Sequence, residues 1–359
     1  MIIAIHPDDY TYPEKPPGSD ASSPRWARVL EAAGHQVRWV DVRRADILDQ
    51  LKGCDGFMWR WPHFDGGGRI ARRLLPVIER ELGLATYPDQ NTCWHYDDKI
   101  AQAYLLEAAG VPVPKTWVWF DKKAALDWAS NAPYPVVLKL AGGAGSRNVR
   151  LIRNDSEARL WVERLFSRFV RSLDDAEFVA YSLSERVRNA ARVALKGRAR
   201  PMWDDGYEPQ AGYVLFQEFL PNNSFDTRVT VIGNRAFAFR RFNRDNDFRA
   251  SGSGRIDWSP EAVDEGSIRC AFKTAQALHT QSCASDGLYR GRTNVIAEIS
   301  YTYVSEAVFK CPGHWELEGD PEPGRLDWVP GQMWPEEAQA QDFVQHLNSN
   351  AGRSRDDDR

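Results

Sequence analysis

Lys139 closes an apolar run, YPVVLKL, and the glycine-rich segment AGGAGSRNVRLI that follows leads into a second strand-like stretch rather than a helix. That order excludes the two commonest phosphate loops. No Gly-Lys-Ser/Thr is present for a P-loop, and a Rossmann GxGxxG has to open a helix. What remains is a strand, a glycine flap and a second strand, with a lysine carried inside Val/Leu surroundings. An ammonium there is costly unless it reaches an anion. Gly142, Gly143 and Gly145 allow backbone amides to come close to phosphate oxygens.

Three further features take their meaning from this flap. Upstream, WHYDDKIAQAYLLEAAGVPVPK predicts a helix from about Asn91 to Ala109 that carries Lys99. Gly110 stops it, and Val-Pro-Val-Pro forces extended chain. Downstream, a strand from Tyr213 ends in Gln217, Glu218, Phe219 and Leu220 before a Pro-Asn-Asn loop. Its backbone can offer N–H and C=O groups to an adenine edge. A second hairpin follows with Asp226, Arg228, Arg240, Arg241 and Arg249, where an acid can accept ribose hydroxyls and arginines can clamp phosphate or carboxylate. Finally, DGLYRGRTNVIAEIS predicts a hairpin turning between Arg290 and Asn294, with Asp286 and Glu298 at its outer ends. Two acids so placed repel unless they share a cation, and magnesium is the hard cation that carboxylates hold beside nucleotide phosphates. Each feature has a plain alternative: a snorkelling lysine, solvated strand-end acids, arginines on an exposed face. Their order along the chain argues otherwise.

That order resembles the ATP-grasp superfamily, over roughly Asn91 to Trp334. The branch it is most similar to holds glutathione synthetase, D-alanine–D-alanine ligase and the ribosomal-protein glutamate ligase. The resemblance implies that Lys99, Lys139 and the flap glycines contact ATP phosphates, that Gln217 to Leu220 form the adenine hinge, and that Asp226 serves the ribose. It implies catalytic roles for Arg228 and Arg249, and magnesium ligands at Asp286, Glu298 and Ser300. Ser300 departs from the family pattern, which places Asn there; a hydroxyl reaches less far than an amide oxygen. The implied fold class is α/β (an α+β grasp), with a small parallel α/β domain ahead of a two-part grasp. The implied activity is an ATP- and magnesium-dependent carboxylate–amine ligase working through an acyl phosphate. Alternatives are a sugar-directed phosphotransferase or ligase using another nucleophile, and a nucleotide-binding module without turnover. The partners implied are small-molecule carboxylate and amine substrates, with a homodimer left open.

The expected organisation is an N-terminal domain over 1–90, a central grasp subdomain with a helical insertion over 91–212, a C-terminal subdomain over 213–345 and a disordered polar tail over 346–359. The first ninety residues alternate strand and helix, which predicts a parallel sheet. A helix capped by Ser23 with Pro24 at its first position, and a helix broken or kinked at Pro76, belong to it. His6, Asp8, Asp9, Trp61 and His63 lie at strand ends, where ligands collect. Further helices are predicted over Asp155–Arg171 and over Ser184–Leu195, the second with a basic face. With 359 residues and a net charge of −4, the chain is large enough for several units and lacks the basic balance of a general nucleic-acid binder. No run approaches eighteen apolar residues, Met1 begins a strand rather than a leader, and five cysteines without a CxxC pair give neither a disulfide framework nor a zinc site. A reduced cytoplasm is the simplest setting. The aromatic residues Tyr301, Tyr303, Trp315, Trp328 and Trp334 suggest a seat for a sugar or surface-glycan precursor.

Overall fold

The computed structural model describes residues 1–8, 21–61, 66–143, 148–167, 169–170, 173 and 210–356. Three sheets follow one another along the chain. The first is parallel, in the order β2-β1-β3-β4, from β1 (Ile2–Ile5), β2 (Gln36–Trp39), β3 (Gly56–Met58) and β4 (Ala85–Tyr87). Helices α1 (Ser23–Ala32), α2 (Ile47–Gln50) and α3 (Gly67–Arg80) connect these strands, as the sequence alternation requires. The first residue outside α1 is Ser22, one position before the expected cap, and its side chain makes no capping bond. Asp8 does that work from a distance: its carboxylate accepts the amides of Ser22 at 2.9 Å and Ser23 at 2.7 Å. Helix α3 is assigned continuously through Pro76 and is not broken there.

The second sheet is antiparallel, β5-β8-β6-β7, built from β5 (Thr116–Trp119), β6 (Val136–Lys139), β7 (Val149–Ile152) and β8 (Val214–Glu218). Strand β6 is buried at all four positions and pairs with β7 so that Lys139 faces Val149, the hairpin expected around the glycine flap. Ahead of it lie α4 (Gln90–Cys93), α5 (Lys99–Ala108) and α6 (Lys122–Ala129), and behind it α7 (Asp155–Ser167). The single helix expected over 91–109 is therefore two. The chain leaves helical geometry between them, with Asp97 at φ 57°, and Asp98 restarts it by accepting the amides of Ile100 and Ala101. Helix α7 ends four residues before the expected Arg171. The basic helix expected over Ser184–Leu195 lies outside the described residues, as do Gly145, His63 and Asp9.

The third sheet runs β13-β12-β9-β10-β14-β15, with the short β11 (Ile256–Asp257) on β10. Its strands are β9 (Phe225–Ile232), β10 (Arg235–Phe242), β12 (Ser282–Arg290), β13 (Thr293–Ser300), β14 (Gly313–Glu318) and β15 (Arg325–Pro330). Period-two alternation divides it. Val229, Val231, Ala236, Ala238 and Cys283 pack in one core with α8 (Glu265–Ala277). The residues between them in sequence, among them Asp226, Arg228, Phe239, Arg241 and Asp286, line a cleft.

After α9 (Ser305–Phe309), helix α10 runs from Pro335 to Asp356 and returns to the first sheet. The disordered tail expected from 346 is helical through Asp356. Phe343 of α10 is fully buried in a core with Ile3, Ile5, Trp26 and Tyr87. Its ring also fills the space a Cβ would need at Gly56. Phe343→Ala is expected to destabilise the protein by about 3–5 kcal/mol, the usual cost of emptying a buried aromatic site. Chemical denaturation would register it as a lowered midpoint.

Candidate functional site

The cleft has a volume of about 800 Å³ and lies between the second and third sheets, with one wall from the end of β3. It gathers Lys139, the hinge Gln217 to Leu220, Asp226, Arg228, Arg249, Asp286, Glu298 and Ser300, residues spread over 162 positions of sequence.

Its centre is a four-residue charge cluster laid across three strands. Register places Asp286 opposite Arg228 and Arg241 opposite Asp226. Arg228 grips Asp286 with two parallel bonds of 2.7 and 2.8 Å. Arg241 grips Asp226 likewise, both at 2.7 Å, and reaches across to Asp286 Oδ2 at 2.7 Å. Burial alone would raise the Asp286 carboxyl, but the two guanidiniums outweigh it and hold it well below the usual carboxylate range. This changes two expectations. Asp286 is a buried acid gripped by two cations, not one relieved of repulsion only by a metal. Asp226 has both oxygens occupied by Arg241 and serves as that arginine's anchor.

Glu298 stands opposite Asp286 across the β12–β13 hairpin, where a bulge after Asp286 shifts the register. The turn falls on Gly291 and Arg292, within the stretch expected. Lys99 Nζ lies 3.2 Å from Glu298 Oε1 and donates to the carbonyl of Gly143 at 2.8 Å. Lys139 Nζ lies 3.4 Å from the carbonyl of Ala297. Burial pushes the Lys139 ammonium down to about 8, against the pull of Glu298 and with Lys99 pushing the same way. The flap base is held by Asp97, which accepts the Gly143 amide at 2.7 Å, and by the bond from the Lys99 amide to Ala141. Asp97 was not foreseen; the Asp-Asp pair directly before Lys99 was its only trace in the sequence.

The remaining expected residues have protein partners of their own. Ser300 donates to the carbonyl of Thr302 at 2.7 Å and accepts its amide. Arg249 pairs with Asp247 at 2.8 Å. Glu218 accepts the amide of Lys115 and pairs with Arg290, while its own amide donates to the Lys115 carbonyl at 2.8 Å. Phe219 packs edge-on to Phe248, which also lines the cleft.

Whether a dication suits this site can be read from its donors. Asp286 Oδ1 accepts one bond from Arg228, leaving a second lone pair, and Glu298 is about a third exposed. Hard carboxylate oxygens fit magnesium, and the Lys99 ammonium beside Glu298 marks where positive charge is stable. Among the described residues no group of three or more His, Cys, Asp or Glu forms a metal site by itself. A magnesium ion held by two carboxylates and completed by phosphate and water matches that count.

No protein-family model matches the chain. Among curated proteins it is similar to the alpha-aminoadipate–LysW ligase LysX of Saccharolobus solfataricus, 33% identical over 76 residues, 21% of this chain and 28% of that protein. It is also similar to the D-alanine–D-alanine ligase of a Synechococcus strain, 26% identical over 204 residues, 52% of this chain and 58% of that one. The matches thus span less than two thirds of these relatives. Among solved structures, D-cycloserine synthetase DcsG superposes with a TM-score of 0.57, at 14% identity, covering 97% of this chain and all of that one. The fold is that of the ATP-grasp proteins. The two antiparallel sheets both line the cleft, and the charge cluster lies on the third sheet. No described helix is long and apolar enough to cross a membrane.

The aromatic seat expected for a sugar is not assembled. Trp315 and Trp328 pack against each other on the β14–β15 hairpin, with ring centroids 4.6 Å apart. Trp334 is stacked on Phe309 with Arg25 over its ring. Tyr301 is buried against Trp61 and Tyr96. Only Tyr303 of the five lines the cleft. Trp61 is likewise core, and His6 is buried with its Nδ1 at the carbonyl of Val40. One functional candidate was missed, Arg60 in the cleft wall, and Arg241 was named as a clamping arginine but not as the hub of the cluster. Arg241 was visible only as one member of an arginine pair.

Proposed function

We propose that this protein is an ATP- and magnesium-dependent ligase that joins a carboxylate to an amine through an acyl phosphate. One observation carries the reading: a partly buried cleft is lined by Arg60, Lys139, Arg228, Arg241 and Arg249 against the acids Glu218, Asp226, Asp286 and Glu298, with the buried Lys99 3.2 Å from Glu298. An excess of cations in so dry a place calls for a polyanion, and the glycine flap and hinge beside it suit a nucleotide triphosphate. The LysX and D-alanine–D-alanine ligases it is similar to are ligases by name, which favours this chemistry over phosphotransfer to another nucleophile.

In this scheme Lys99 and Lys139 hold phosphate oxygens, and Arg228 and Arg241 keep the Asp286 carboxylate oriented. Magnesium would be held by Asp286 and Glu298, where it would neutralise phosphate charge. An oxygen of the substrate carboxylate attacks the γ-phosphorus, forming a P–O bond as the bond to ADP breaks. The amine then attacks the acyl carbon, expels inorganic phosphate and loses a proton. The protein's part is positioning and charge neutralisation, with no covalent enzyme intermediate.

Incubating the protein with ATP, magnesium, pooled carboxylic acids and hydroxylamine is expected to release ADP and give hydroxamates in equal amounts, because hydroxylamine intercepts an acyl phosphate. ATP binding without ADP formation in any pool would instead favour a module without turnover.

A further inference from the structure

The cleft does not end at its charges. Beyond Arg241 its wall is Phe239, Ile256, Tyr303, Val304, Ala307 and Val308. Most of these belong to one packed cluster, so the apolar surface is continuous. Register sets Ile256 opposite Arg241, which places that surface directly beside the charge cluster. Val304 is 40% exposed, an aliphatic side chain left open in a cleft. The hydroxyl of Tyr303 is bonded to Ser282 at 2.9 Å and to Gln339 at 2.7 Å, so the ring presents carbon to the cavity.

Arg60 stands at the rim of this wall, just after β3. Its Nη1 lies 3.5 Å from Asp8 Oδ2, and its Nη2 donates to the carbonyl of Tyr303 at 3.3 Å. Asp8 in turn is fastened to the amides of Ser22 and Ser23. The guanidinium is thereby held from two sides while 16% of the side chain stays exposed among the cleft-lining residues.

We propose that Arg60 and this apolar wall form the acceptor subsite, and that its substrate is a small carboxylic acid with an aliphatic or aryl body. The inference rests on the ligase reading. A carboxylate and a γ-phosphate repel as they approach, so a cation on the acid's side is required as well as those on the phosphate's side. Arg60 supplies it. The wall rewards burial of carbon, and of its six residues only Tyr303 carries a side-chain polar group, already bonded to Ser282 and Gln339, so sugar hydroxyls set against it would be desolvated without compensation.

Calorimetric titration of 4-methylpentanoate, phenylacetate and glucuronate into the full chain, with magnesium and a non-hydrolysable ATP analogue present and then absent, tests this. The two apolar acids are expected to bind at least tenfold more tightly than glucuronate. Arg60→Ala is expected to weaken them at least tenfold and Arg60→Lys by less, with analogue affinity unchanged, which also certifies the fold. Val304→Asp, at an exposed position, is expected to weaken phenylacetate without affecting the analogue. Tighter glucuronate, no apolar acid bound, or unaltered affinity in Arg60→Ala would overturn the proposal. Failure of the analogue to bind would strike the ligase reading, while the arm without nucleotide still reports on the acids.

Discussion

Asp286→Ala is expected to lower stability by about 3–5 kcal/mol and to abolish turnover, whereas Glu298→Gln abolishes turnover with a loss of no more than about 1 kcal/mol. The two acids are opposite each other in the same hairpin, yet their surroundings differ. Asp286 is the shared partner of Arg228 and Arg241, and its side chain is 13% exposed. Without it, two arginines keep their desolvation cost and lose a counter-charge, and Asp226 alone cannot bind both. Glu298 is 34% exposed and meets a single ammonium at 3.2 Å, so water replaces much of what is lost. Denaturant midpoints and ADP release measured on both variants check the contrast. Equal midpoints would mean that the cluster does not hold the sheet together. The pH dependence follows in sign: because the folded carboxyl of Asp286 is depressed, its stabilisation is complete above the ordinary carboxylate range and disappears as pH falls through the depressed value. Asp286→Asn should flatten that acid limb.

Lys139→Met is expected to weaken nucleotide binding by roughly 10–100-fold, the value of a charge-assisted hydrogen bond, and more than Lys99→Met does. Lys99 already has the Gly143 carbonyl and Glu298 as partners, while among the described residues the hydrogen-bond contact of Lys139 is the long one to Ala297, and burial dominates its shift. That cost has a pH signature. With a folded value of about 8 against 10.5 for the free side chain, the penalty is fully present below pH 8. It is relieved as pH rises from 8 towards 10.5, by up to about 3 kcal/mol, since the unfolded chain then binds more protons than the folded one. Phosphate beside Lys139 raises the value again, so nucleotide binding near pH 8.5 should take up a proton. Titrations in two buffers of different ionisation enthalpy measure that uptake, and Lys139→Met should remove it. Identical proton uptake by the variant would assign the titrating group elsewhere.

The local patterns were legible because each rests on short-range chemistry. Short continuous apolar runs placed β6 and β8, the polar turn placed the β12–β13 hairpin, and glycines beside Lys139 placed the flap. Spacing brought Asp286 and Glu298 to the outer ends of one hairpin, but the bulge after Asp286 sets them directly opposite, since the turn alone would place Ala297 there. The helix expected from Asn91 was divided because tertiary contacts competed with it: Asp97 turns out of helical geometry to hold the flap amide of Gly143, 46 positions away. The tail read as disordered is helical to Asp356, in a helix whose Phe343 finds its partners in β1 and α1, more than three hundred residues earlier.

Which charges meet was decided by the tertiary structure alone. Sequence gave every acid and arginine of the cluster without its partner. Only the neighbouring of β9, β10 and β12 in one sheet pairs Arg228 with Asp286 and Arg241 with Asp226. Arg60 enters the same cleft because the first sheet packs its strand ends against the segment after β13, where the carbonyl of Tyr303 receives it. The five aromatic residues after β13 could be named but not located, since a ring serves a core and a ligand equally well and only its neighbours distinguish them. What a residue can do is written in its type and spacing; what it faces depends on contacts between segments far apart in the chain, and those arise only on folding.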